Sequence, residues 1–165
     1  MIRLSKAYAM LFGNVLMSAF TACNYSKPES YGAVISLSSS AQQDAVRREM
    51  VKLARAIAKF GNEDVSNIVF TNRSSVSGTN LCRLAGAPHV VWVNADEYSD
   101  SSGGVREGVQ AFVGSCTSSL TIKHAVIGFS PEHVAFKEFS DSKASHGFSE
   151  ASGRVEAQLN KLKAH

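Results

Sequence analysis

From Ala7 to Ala22 the chain runs 16 residues without a charge, and Cys23 follows directly. A membrane-spanning helix needs roughly 20 apolar residues, whereas this run is shorter and carries Gly13 and Asn14 in its middle. Arg3 and Lys6 precede it and small residues close it. That is the layout of an export signal, with a short basic start and an apolar centre of about 7–15 residues. A removable signal over residues 1–22 is therefore expected. The fold has to be built by the residues after it, in a compartment where disulfides form.

An ordinary secretory cut wants small residues one and three positions before it, and a cut after Ala22 puts Phe20 in the third place. The stretch Phe20-Thr21-Ala22-Cys23 instead resembles the lipobox of bacterial lipoproteins, an apolar residue and two small ones before a cysteine. Phe20 stands where Leu is usual. The resemblance covers only the signal and its border and says nothing of the folded domain. It implies that Cys23 is the lipidated residue, carries palmitate and becomes the first residue of the mature chain. A thiolate is the nucleophile that such thioether formation needs, and several acyl chains anchor stably where one does not. The same analogy reads Asn24, in place of Asp, as permitting transfer to the outer membrane rather than retention at the inner one. Residues 23–31 then form a flexible tether and 32–165 a single domain in the periplasm. The alternative is that Cys23 is a plain thiol in an uncleaved protein.

With Cys23 assigned to the anchor, two cysteines remain. In an exported chain they are most simply a disulfide, Cys82 to Cys116. The bridge closes a loop of about 35 residues, worth roughly 3–4 kcal/mol on the chain-entropy account. A catalytic thiol is the alternative, but it needs a nearby base, and neither cysteine has a histidine within five residues in sequence.

Composition places the mature chain among ordinary globular domains, with 44% hydrophobic and 19% charged residues overall. Without Arg3 and Lys6 there remain 15 basic against 14 acidic side chains. A charge near +1 gives no electrostatic reason to expect a nucleic-acid partner.

Periodicity supplies the elements. Tyr31–Leu37 reads as a strand. Ser40 and Gln43 form a capping-box pattern ahead of Val46, Met50, Leu53 and Ile57 at helical spacing. Arg47, Arg48, Lys52, Arg55 and Lys59 fall largely on other faces, a solvated surface with anionic headgroups as the alternative partner. Gly61-Asn62 is expected to end this helix. Val65–Thr71 reads as a buried strand and His89–Asn94 as another, with Cys82 in a loop between them. Trp92 is expected in the core. After an acidic loop, Val105, Val109, Phe112 and Val113 predict a short helix leading into Cys116.

The stretch "LTIKHAVIGFSPEHVAFKEFSD" predicts a hairpin turning at Ser130-Pro131. In that register Ile127 faces Val134, Ala125 faces Phe136 and Lys123 faces Glu138, with one apolar side turned to the core. Ser149 is expected to cap a final helix with Ala151, Val155, Leu159 and Leu162 as its stripe. Together these elements predict an α+β fold, a mixed and mostly antiparallel sheet with helices packed on one face.

No motif identifies an activity. The hairpin register sets His124 and His133 roughly 13 Å apart along the strands, too far for one zinc ion. The loop "NADEYSDSSGG" holds Asp96, Glu97 and Asp100 but lacks calcium-loop spacing. H-E-x-x-H, C-x-x-C, G-x-S-x-G and phosphate-loop patterns do not occur in the sequence. No catalytic, cofactor or metal residue is assigned. The leading expectation is a lipid-anchored envelope protein whose domain binds or scaffolds another envelope protein. A small envelope hydrolase is the runner-up, and an inhibitor or immunity-type protein the third reading.

Overall fold

The computed structural model describes residues 30–60, 64–72, 76–99, 101–117, 119–131, 134–135 and 141–164. The expected signal, Cys23 and residues 24–29 of the expected tether lie outside them, as do Gly61-Asn62, Asp100, His133, Phe136 and Glu138; Tyr31, placed in the tether by the sequence, is instead the first residue of β1. The chain order is β1 (Tyr31–Leu37), a 3-10 turn (Ser40–Gln42), α1 (Asp44–Phe60), β2 (Val65–Asn72), α2 (Gly78–Ala85), β3 (His89–Ser99), β4 (Gly104–Cys116), β5 (Leu120–Phe129), β6 (Val134–Ala135) and α3 (Asp141–Lys163). The described strands form one sheet in the order β2-β1-β3-β4-β5, with β6 also on β4. β1 pairs parallel with β2 and β3. The β3–β4, β4–β5 and β4–β6 pairs are antiparallel. The fold is α+β with a mixed, mostly antiparallel sheet.

Strand alternation divides the sheet into two faces. Ala33, Ile35 and Leu37 of β1, Val91, Val93 and Ala95 of β3, and Val109, Ala111 and Val113 of β4 point one way. They pack against Val46, Met50, Leu53 and Ile57 of α1 and Phe148, Ala151, Val155 and Leu159 of α3. The expected stripe of α1 is thus buried as read. Its start differs, because Gln43 is extended and the 3-10 turn intervenes before Asp44. Ser40 therefore bonds to the Ser38 hydroxyl (3.0 Å) and forms no cap with Gln43.

The other face carries Val34, Val90, Leu81 and Ala85, with Trp92, Cys116 and Leu120 against them. Its helix is α2, where the sequence predicts a loop. Ser77 and Asn80 make a reciprocal capping box at its start, and Gly86 closes it in the left-handed region at φ 61°. Gly32 lets α2 sit on β1, because a Cβ there would meet the Ala85 carbonyl.

Further expectations are overturned. The segment from Val105 to Val113 is part of β4, not a helix. Its valines at 105, 109 and 113 lie four apart, a spacing that fits a helix and a strand alike. β-branched residues and the buried alternation at 105, 107, 109, 111 and 113 decide for the strand. Second, β2 is an edge strand and is mostly exposed or half-buried rather than buried.

Third, Ser130-Pro131 is not a hairpin turn. Phe129 pairs with Gly108 and Val134 with Val105, so β5 and β6 both run along β4 in one direction. β4 advances three residues between those pairings and the edge advances five. Pro131 has no N–H for the ladder, and proline sits in sheets at edges and bulges. Ile127 consequently pairs with Gln110 on the second face and is 38% exposed, while Val126, opposite Ala111, packs on the helix side. The expected faces of β5 are exchanged. The final helix also starts earlier, so Ser149 lies within α3, and Leu162 is 49% exposed rather than core.

Candidate functional site

Cys82 and Cys116 are bridged, with Cα atoms 5.5 Å apart. The bridge ties α2 to the last residue of β4, whose amide also donates to the Pro88 carbonyl at 2.7 Å. Both sulfurs are consumed, so neither cysteine is a free nucleophile in this state. Cys23 lies outside the described residues.

Beside that staple the second face of the sheet is thinly covered by the described residues. Among the described residues α2 is the helix packed on it, and it reaches only one end. Across the rest run two rows set by register, Trp92–Phe112–Ala125 and Asn94–Gln110–Ile127. Trp92 and Phe112 are half-buried and stacked, with centroids 4.8 Å apart. The Trp92 indole N–H donates to Ser36 Oγ at 2.5 Å, and the Asn94 amide to Gln110 Oε1 at 3.5 Å. Ile127 and, near the bridge, Ile122 are 38% and 42% exposed. Trp92 therefore belongs to a surface platform rather than to the main core. The sequence hid this surface because Phe112 reads there as part of a helix and Ile127 as core. The polar-apolar alternation of β4 is the signal that locates it.

An acidic pair lies on the opposite face. Glu97 and Glu107 are direct cross-strand partners. Glu107 is buried, with Oε2 accepting from the Ser130 hydroxyl at 2.7 Å. Burial, and then the neighbouring Glu107 carboxylate, raise the Glu97 pKa above its ordinary 4.5. Gly147 of α3 lies directly over Glu107, where a Cβ would meet the carboxylate. Two neighbouring carboxyls are a general acid–base pattern, but α3 closes Glu107 off.

The described histidines, His89, His124 and His146, do not converge. His89 is buried beside Tyr31, with ring centroids 5.1 Å apart. His124 is exposed on β5, and His146 lies 3.6 Å from Glu150 on α3. The 13 Å separation expected for His124 and His133 rested on the hairpin and does not stand. Among the described residues there is no group of three or more His, Cys, Asp or Glu placed to hold a metal. Asp96 and Glu97 of the acidic stretch belong to β3.

Cations gather at both sheet edges. At the β5 edge, a cavity of about 490 Å³ is lined by Arg106, Arg154 and Lys161 with Phe129 and Ser130. At the β2 edge, α1 sets Arg47, Arg48, Lys52 and Arg55 around Val51 and Phe70 in a groove of about 370 Å³. The Arg47 guanidinium lies 4.6 Å from the centre of the Phe70 ring. An adjoining groove of about 600 Å³ shares Lys52 and Arg55 and adds Lys59, Asp64 and Val65.

No protein-family model matches the sequence, and no curated protein matches it. Among solved structures, the chain is similar to a point variant of PelC from Paraburkholderia phytofirmans, solved as a dodecamer. Identity is 15%, the TM-score 0.38, and 78% of this chain and 87% of that one are covered. It is also similar to the lipoprotein GNA1162 from Neisseria meningitidis, at 10% identity and a TM-score of 0.34, covering 84% of this chain and 100% of that one. Superpositions at these scores carry no argument about function. Among the described residues no helix is long and apolar enough to cross a membrane.

Proposed function

We propose that the chain is a cell-envelope lipoprotein, anchored through lipid on Cys23, whose α+β domain binds or scaffolds another envelope protein. Residues 1–22 are the signal, the tether runs from Cys23 to the start of β1 at Tyr31, and the domain that follows lies on the periplasmic side, with the outer membrane favoured by Asn24. The Phe20-to-Cys23 pattern supports the anchor, and the Cys82–Cys116 bridge suits an oxidising compartment. The binding reading is carried by one observation, the thinly covered second face with Ile122 and Ile127 exposed near stacked Trp92 and Phe112. Aromatic and aliphatic side chains on a rigid strand scaffold are what interface centres are made of. The runner-up, a hydrolase using the acidic loop and the histidine face, has among the described residues the acidic pair, and Gly147 lies over Glu107 there.

The test is a photo-crosslinking residue placed in intact cells at Ile127 and, as a control, at exposed Glu156 on α3. A membrane-associated adduct with another envelope protein is expected from position 127 and not from 156. No adduct at 127, or the same products from both positions, contradicts the binding reading.

A further inference from the structure

β1 starts at Tyr31, eight peptide units after Cys23. Fully extended, eight units span at most about 26–29 Å, so an anchored chain holds this corner of the domain close to the bilayer. The corner has a definite composition. Tyr31 is in register with Val65, the first residue of β2, and its amide donates to the Asp64 carbonyl at 3.3 Å. The end of α1 reaches the same place, since Lys52, Arg55 and Lys59 line one groove with Asp64 and Val65. That groove runs into the one bearing Arg47, Arg48 and Phe70, because Lys52 and Arg55 line both.

We infer that this α1–β2 corner is the surface the domain lays on the anionic phospholipid headgroups of the bilayer that holds its anchor. The inference rests on the lipoprotein reading above and adds an orientation to it. Two grooves carry five cations, Arg47, Arg48, Lys52, Arg55 and Lys59, against the carboxylates of Asp44 and Asp64. Glu49 offsets one more charge through its pair with Lys52 at 3.6 Å. The surface stays positive although the mature chain as a whole is nearly neutral. Val51, Ala56, Val65 and the 37%-exposed Phe70 lie among those cations. Such a mixture suits a phosphate ester at the boundary of an apolar layer, with long Lys and Arg stems lying along the apolar part.

Attraction of exposed charges fades within a Debye length of about 8 Å at physiological salt, so a weak patch acts only when held near its target. The tether does that by making the contact intramolecular. The Cys23 lipid fixes the domain to the membrane, and the patch fixes which side faces it. The second sheet face, on the far side of the sheet from α1, is thereby left for a protein partner.

The test reconstitutes the mature lipidated protein into nanodiscs of phosphatidylcholine alone or mixed with phosphatidylglycerol. Lysine acetylation by a water-soluble reagent is then read peptide by peptide. Lys52 and Lys59 should react severalfold more slowly in the phosphatidylglycerol discs, and added salt should abolish the difference. Lys123 and Lys161, exposed on β5 and α3, should react alike in both. The double variant Arg55→Gln, Lys59→Gln should remove the protection of Lys52 while its thermal unfolding stays that of the parent.

Equal reactivity of Lys52 and Lys59 in both discs overturns the inference and leaves the lipoprotein reading intact. Protection seen only in native membranes, and not in discs, assigns the groove to an acidic protein and likewise overturns it. A mature chain without lipid on Cys23 overturns both, and the intact mass of the same preparation shows this first.

Discussion

The two faces of the sheet are held in different ways. On the α1–α3 face, one continuous cluster joins three strands to two long helices, and Phe148, Met50, Ile35 and Leu37 are fully buried in it. On the α2 face the cluster is four buried residues, Val34, Leu81, Ala85 and Val90. It is supplemented by the Cys82–Cys116 bridge. An eight-residue helix is marginal alone and has little apolar area with which to dock. A covalent link there removes unfolded-state entropy that such a small core does not offset. The first face shows burial doing the holding, and the second shows a staple doing it, which leaves sheet surface uncovered by the described residues.

The largest effect expected is on the first face. Phe148→Ala should destabilise the domain by about 3–5 kcal/mol, as large-to-small core changes do, measured by urea unfolding. A loss below about 1 kcal/mol, within the range of surface changes, would mean that α3 does not seal the core. Removing the staple should come next. Cys82→Ser and Cys116→Ser should cost similar amounts, roughly 2–5 kcal/mol, and the double variant no more than either single one. Additive losses would show that the thiols act separately and the comparison of faces would fail.

The smallest effect has the opposite sign. The fold raises the Glu97 pKa above 4.5, so the native state binds its proton more tightly than the unfolded chain does. Stability then falls as pH rises from below the ordinary value through the raised one. Glu97→Gln should therefore raise Tm modestly at pH 7, with the gain shrinking as the pH is lowered through the raised value and gone below the ordinary 4.5. A lowered Tm at pH 7 would mean that the carboxylate is stabilised by a partner, reversing the account of the acidic pair.

What could be read from the sequence divides along the same line. β1 and the stripe of α1 were legible, because each carries a single period and buries one side or both. The bridge was legible from counting cysteines in a chain expected to be exported. β4 was not, since Val105, Val109 and Val113 satisfy both helical and strand spacing, and only tertiary pairing with β3 chooses. β5 was misread by one residue because Ala125, Ile127 and Phe129 look like an inward face. The real inward positions are Val126 and Gly128, and a side chain at 128 would meet the Ala151 carbonyl of α3. A small residue where a helix presses on the sheet hides the core face from any hydrophobicity pattern. The platform at Trp92 and Phe112 was lost with β4, and Glu107 carries no local signal that it is buried.

The central claim, a lipid-anchored domain with one face stapled by a disulfide, sets one lipidated cysteine apart from two bridged ones. Mature protein from membranes, denatured and alkylated without reductant and then weighed by mass spectrometry, tests it in one measurement. The account predicts a chain that begins at Cys23 with acyl and diacylglyceryl mass and takes up no alkylating agent at Cys82 or Cys116. A chain retaining residues before Cys23, with that cysteine alkylated, would contradict the anchor. Alkylation at Cys82 and Cys116 would contradict the staple.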